Sequence, residues 1–167
     1  MYDYNFSDPT MTTWVLLRQT WSAMEKAAER KLAKTGLTPE QVHVLWICRD
    51  YPGLLTTAQI ARLLSRQSQT ITGLLNRLER KGLLKRVTRR KGKPFTEIKI
   101  TDKGTETVGP AIEVTRALIK EIMSTLSARE HEDVQRVLRV LQCKTAELLQ
   151  VELTSLPGDY AEEAIPV

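Results

Sequence analysis

Hydrophobic residues recur along this chain in two periods, and the change of period maps its elements. Trp14, Leu17, Trp21, Met24, Ala28 and Leu32 follow one another at steps of three and four, which draws one continuous apolar stripe along a helix. Asp8 and Pro9 supply an N-cap and a first helical residue at its start, and Gly36 supplies its stop. Thr38-Pro39-Glu40-Gln41 opens a second helix in capping-box order, with Val42, Leu45 and Trp46 inward and Pro52-Gly53 as terminator. Thr56 and Gln59 open a third in the same way, with Ile60, Leu63 and Leu64 apolar. After a break at Ser65-Arg66-Gln67, a fourth helix is predicted over residues 68–81 and closed by Gly82. Its inner face is Ile71, Leu74, Leu75 and Leu78.

The period then falls to two. Residues 84–87 and 97–100 read as short strands, with a basic turn over 89–94 between them, which is a hairpin signal. Thr101-Asp102 caps a fifth helix carrying Val108, Ile112, Ile119, Ile122 and Leu126, with Pro110 inside it as a potential kink. Ser127 and Glu130 form another capping box, ahead of a last helix with Val134, Val137, Leu138, Leu141, Leu148 and Val151.

Helices, a break, a further helix and a hairpin make the order of a winged helix-turn-helix. The predicted fold class is therefore mainly α, with long N- and C-terminal helices and a two-stranded β wing. Four segments follow: an N-terminal dimerisation helix over 1–36, the winged helix-turn-helix over 37–100, C-terminal dimerisation helices over 101–154, and a mobile tail over 155–167. The outer helices carry more apolar stripe than a small winged domain can cover, so a second copy of the chain is the expected cover.

Composition narrows the class. Of 167 residues, 41% are hydrophobic and 27% charged, as in a soluble folded chain. No apolar run approaches the roughly 20 residues of a membrane span. The opening MYDYNFSDPT lacks the basic end and apolar core of a signal peptide, so a cytoplasmic location is expected. Cys48 and Cys143 form neither a metal-site spacing nor a disulfide framework. The net charge of +5 is unevenly spread. Residues 62–99 hold twelve basic residues against two acids, Glu79 and Glu97, a local charge of +10 that leaves −5 for the remainder. Such asymmetry suits a polyanion on one face; the plainer alternative is a solvated basic surface.

The fourth helix has the composition of a groove reader. Ser68, Gln69, Thr70, Thr72, Gly73, Asn76 and Arg77 are small or polar and lead the helix, as approach to base edges in the major groove requires. Gln69 suits adenine, Arg77 guanine or phosphate, and the threonine methyls the methyl of thymine. Gly73 lets the backbone come close. Arg89, Arg90, Lys91 and Lys93 at the hairpin tip suit phosphate contacts or minor-groove insertion. The alternative for both groups is a polar, solvent-facing surface.

The run Ile60-Ala61-Arg62-Leu63-Leu64, then Gln69 through Leu83 and on to Ile100-Thr101-Asp102-Lys103-Gly104, resembles the multiple-antibiotic-resistance regulator (MarR) family. The resemblance covers nearly the whole chain. It implies a homodimeric transcription regulator, usually a repressor, that binds a pseudo-palindromic operator with half-sites ~10 base pairs apart and is released by a small, often aromatic or anionic effector. Trp14, Trp21, His43 and Trp46 are the candidate lining of such an effector pocket; for each tryptophan the alternative is core packing. Arg86 falls where the family has its strand arginine, which makes it a further candidate DNA contact of the wing. One departure stands out: where the family's wing has an aspartate that holds an arginine in place, this chain has Gly92, Lys93 and Pro94, so the expectation is either a less preorganised wing or one that relies on bulk charge. The family's redox sensors use a cysteine in the first helix, and none lies there. No nucleophile–base constellation, phosphate loop or metal motif occurs, so neither an enzyme nor a cofactor or metal is expected. The competing readings are a protein-binding winged helix, which needs an apolar or acidic face, and the dimerisation part of a methyltransferase, which needs an α/β domain.

Overall fold

The computed structural model describes residues 5–89 and 95–153. The elements run α1 (Pro9–Leu32), a 3-10 turn (Ala33–Thr35), α2 (Pro39–Asp50), α3 (Thr57–Leu63) and α4 (Ser68–Arg80). They continue with β1 (Leu84–Arg89), β2 (Phe95–Ile100), α5 (Asp102–Met123) and α6 (Ala128–Leu149). This is a winged helix-turn-helix carried between long helices.

The caps explain the boundaries. The Asp8 carboxylate accepts from the Thr10 N–H at 2.8 Å, and Pro9 opens α1. The helix gives way to the 3-10 turn at Leu32, and Gly36, at φ 70°, provides the left-handed stop a few residues later. Both halves of the capping box form at Thr38–Gln41 and at Ser127–Glu130. At Thr56 only half forms, because the Gln59 amide turns away and donates to the Tyr51 hydroxyl at 3.2 Å. α5 is assigned as one helix through Pro110. Leu126 lies beyond its end and Val151 beyond the end of α6.

β1 and β2 pair antiparallel, with Leu84 opposite Ile100 and Arg86 opposite Ile98. The ladder reaches Arg89 opposite Phe95, so Arg89 belongs to the strand and not to the expected turn. On the other side of β2, the Ile98 N–H donates to the Leu55 carbonyl at 2.8 Å. This ties the wing to the segment before α3.

The core gathers Trp46, Leu45, Val42 and Val44 of α2, Ile60 of α3, Ile71, Leu75 and Leu78 of α4, Leu84 and Ile98 of the wing, and Val108 and Ile112 of α5. Of the α1 stripe only Leu32 is buried, while Leu17, Trp14 and Trp21 are exposed. α6 likewise leaves Val134, Val137, Leu138 and Leu141 in solvent. The mobile tail predicted from residue 155 lies outside the described residues. No described helix is long and apolar enough to cross a membrane.

Candidate nucleic-acid interface

α4 splits cleanly between its two faces. Ile71, Leu74, Leu75 and Leu78 are buried against the core, while Ser68, Gln69, Thr70, Thr72, Gly73, Asn76 and Arg77 all face solvent. The segregation follows from the 3.6-residue period: the apolar positions recur at three and four, so the polar ones share the opposite face. Gln67 at the N-cap makes no side-chain capping bond, so the first-turn N–H groups stay open at this end of the helix. The Thr72 hydroxyl donates to the Ser68 carbonyl at 2.8 Å, which leaves its methyl as the outward contact. Among the described residues Arg77 makes no ion pair or side-chain hydrogen bond, and its guanidinium is available.

The helix is pinned at both ends. Before it, Ser65 adopts φ 49°, with Arg66 N–H donating to the Ala61 carbonyl at 2.9 Å and Ser65 N–H to the Arg62 carbonyl at 3.1 Å. This is a Schellman stop for α3 built on serine. After it, Gly82 at φ 72° repeats the motif, with Leu83 N–H on the Leu78 carbonyl and Gly82 N–H on that of Glu79. Lys81 Nζ reaches the Gly36 carbonyl at 3.3 Å, and Lys103 Nζ reaches the Lys81 carbonyl at 3.0 Å. The C-terminus of α4 is thereby tied to the start of α2 and to α5.

The wing is held by a contact that sequence reasoning missed. The Arg86 guanidinium on β1 forms an ion pair with Glu79 of α4, and its second nitrogen donates to Asn76 Oδ1 at 2.7 Å. Arg86 is therefore turned inward against α4 and is not a free wing cation. The signal was present in the spacing, since Asn76 and Glu79 share one helical face, but only the strand register shows that Arg86 meets it. The stretch's second acid, Glu97, is nearly buried and pairs with Lys99 at 3.4 Å. Both acids of the basic stretch are thus engaged by cations of the wing strands, and the surface around α4 is left to Arg62, Arg77, Arg80 and Lys85. Arg90, Lys91 and Lys93 lie outside the described residues.

The four candidate effector residues divide between α1 and α2. Trp14 and Trp21 stand on the exposed face of α1, and Trp46 has no exposed surface at all. The Arg116 guanidinium lies 5.1 Å from the Trp46 ring centre, and the indole N–H meets no acceptor among the described residues. His43 is half-buried and held below its ordinary value of 6.5, chiefly by desolvation, with Arg66 adding to the lowering and Glu40 and Glu25 opposing it. Burial pushes the Cys48 thiol up to about 12, so it carries little thiolate and is unreactive. No group of three or more metal-ligating side chains occurs among the described residues.

Known proteins share both a sequence signature and the fold with this chain. A MarR family model matches residues 35–93, the span from the Gly36 turn into the wing. The MepR–DNA complex of S. aureus superposes with a TM-score of 0.75 at 27% identity, covering 83% of this chain and 99% of that one. Residues 35–93 thus match the MarR family, and the chain has the fold of its DNA-binding regulators. MepR in its DNA-binding conformation gives 0.69 at 27% identity over 80% of this chain and 98% of the other. The organohalide-sensing regulator RdhR-CbdbA1625, bound to 2,4-dichlorophenol, shares the fold at a TM-score of 0.78 and 22% identity, over 93% and 99% of the two chains. No curated protein matches at the level of sequence.

Proposed function

We propose that this protein is a homodimeric regulator of the MarR type that binds a pseudo-palindromic operator in duplex DNA and represses transcription by occupying it. In this reading α4 enters the major groove. Ser68, Gln69, Thr70, Thr72, Asn76 and Arg77 meet base edges and phosphates, and Arg89, Arg90, Lys91 and Lys93 carry the wing to the backbone or minor groove. Residues 37–100 are the DNA-reading unit, and 1–36 with 101–154 are the dimerisation helices. The observation that carries the proposal is the outward face of α4: polar or small residues, with no inward task for most of their side chains, beside a basic hairpin, while both acids of the basic stretch are already engaged. The likeness to MepR bound to DNA supports it. A protein-binding winged helix needs an apolar or acidic face there, and this one is neither.

Dimerisation rests on the apolar faces of α1 and α6. An effector site is proposed where those faces meet the partner, near Trp14 and Trp21, with His43 and Trp46 behind them. Its ligand class is a small aromatic or anionic molecule. Binding there releases the operator by favouring a dimer whose two α4 helices are wrongly spaced.

The test is a selection of tight-binding duplexes from a random pool, followed by gel shifts across a salt series. Six to ten neutralised phosphates predict a loss of about 10³–10⁵ in affinity between 50 and 200 mM salt. The enriched sequences should be inverted repeats with half-site centres about 10 base pairs apart. Enrichment of no sequence at low salt would sink the proposal.

A further inference from the structure

Glu79 is an acid on the DNA-reading helix of a protein proposed to bind a polyanion. Simple electrostatics gives it only a cost there. Its setting suggests a task. Arg86 uses its planar fork to reach two positions of α4 at once, Glu79 and Asn76, a geometry that a point charge on a flexible stem does not reproduce. The pair is part-shielded, with side chains 29% and 38% exposed, and it lies beside the junction where Leu75 of α4 meets Leu84 and Ile98 of the wing. Half-exposed ion pairs add little to folding, so the contact matters for the angle it fixes between helix and wing. It also fixes Asn76. A guanidinium only donates, so the amide must turn its oxygen toward Arg86. What Asn76 has left for DNA is chiefly its Nδ2 donors.

We propose that Glu79 is a positioning residue: with Asn76 it clamps Arg86, and through Arg86 it sets the wing against α4, so that sequence-specific DNA binding depends on an acid that itself repels DNA. The inference rests on the DNA-binding reading above.

The two views of Glu79 predict opposite results. As a bare negative charge, its loss in Glu79→Gln tightens the selected duplex and a random duplex alike. As a clamp, its loss weakens the selected duplex about tenfold to a hundredfold, the scale of losing a charged hydrogen bond, while random-duplex affinity stays within about twofold or tightens slightly. Arg86→Lys keeps the charge and loses the fork, and shows the same fall in the ratio of selected to random affinity. Hydrogen exchange without DNA reads the clamp directly: the β1 and β2 amides exchange faster in Glu79→Gln than in the wild type, with the α2 and α5 amides unchanged. Equal tightening on both duplexes, or wild-type exchange in the wing, overturns the proposal. If the wild-type protein enriches no duplex, the DNA reading fails, and wing exchange alone then decides whether the clamp exists.

Discussion

Gly73 stands in the middle of α4, where glycine costs a helix about 1 kcal/mol relative to alanine. A methyl group built on it meets nothing within 4 Å, so the packing of this chain does not require the glycine. In the proposed complex the same position faces the duplex, where a bare backbone allows close approach. Gly73→Ala is therefore expected to raise stability by about 0.5–1 kcal/mol while weakening the selected duplex. A thermal melt and a gel shift on one preparation check both, and an unchanged affinity would remove Gly73 from the interface. His43 yields a pH prediction. Its folded value lies below 6.5, so the unfolded chain takes up its proton first as pH falls. Stability should therefore decline as pH drops through about 6.5. The fall in melting temperature between pH 7.5 and 5.5 should be smaller in His43→Gln; equal falls in the two proteins would show that His43 does not contribute.

At the scale of elements, the turn between α4 and β1 sits where the start of α5 presses closest. A methyl group on Gly104 would overlap the Leu83 carbonyl and crowd the Ile100 side chain. The Thr101 hydroxyl bridges the same junction, donating to the Gly82 carbonyl at 2.8 Å and accepting from the Gly104 N–H. Gly104→Ala is expected to destabilise the protein by about 1–3 kcal/mol through overpacking, measured by urea unfolding; a neutral result would mean that α5 shifts freely against the wing. The sequence made the helices legible because their stripes, caps and glycine stops agree with one another, and the inner face of α4 was read residue for residue. The wing was legible only in outline. Polar Thr88 and Arg89 carry no period-two signal, and the ladder that extends to them is fixed by cross-strand pairing. The candidate site divides in the same way. Its outward residues follow from helical period alone, whereas the Arg86–Glu79–Asn76 clamp depends on a strand register that no local pattern reports. Ser65 as a left-handed stop was hidden too, because a serine gives no composition cue where glycine is the usual residue.

Over the whole molecule, the apolar surface that one chain leaves open bears on how the protein would bind DNA. Val134, Val137, Leu138, Leu141 and Leu148 fall on one side of α6, and Trp14, Leu17 and Trp21 on one side of α1. Burying a side chain of this size is worth about 1.5–3 kcal/mol, so covering several of them in a second copy would outweigh the entropy of association. Their exposure in the single chain also means that Leu138→Glu with Leu141→Glu removes the seam without disturbing the winged core. The variant is expected to sediment as a monomer with unchanged helical circular dichroism. Its DNA binding should then lose the linkage between half-sites: affinity for a duplex with two half-sites falls about 10²–10⁴-fold, toward that for a duplex with one, and moving the half-sites by five base pairs no longer matters. In the wild type the same shift turns the second half-site to the opposite side of the double helix, out of reach of the second α4, and affinity should collapse. A charged α6 variant that remains dimeric and keeps its spacing preference would place the interface elsewhere in the chain.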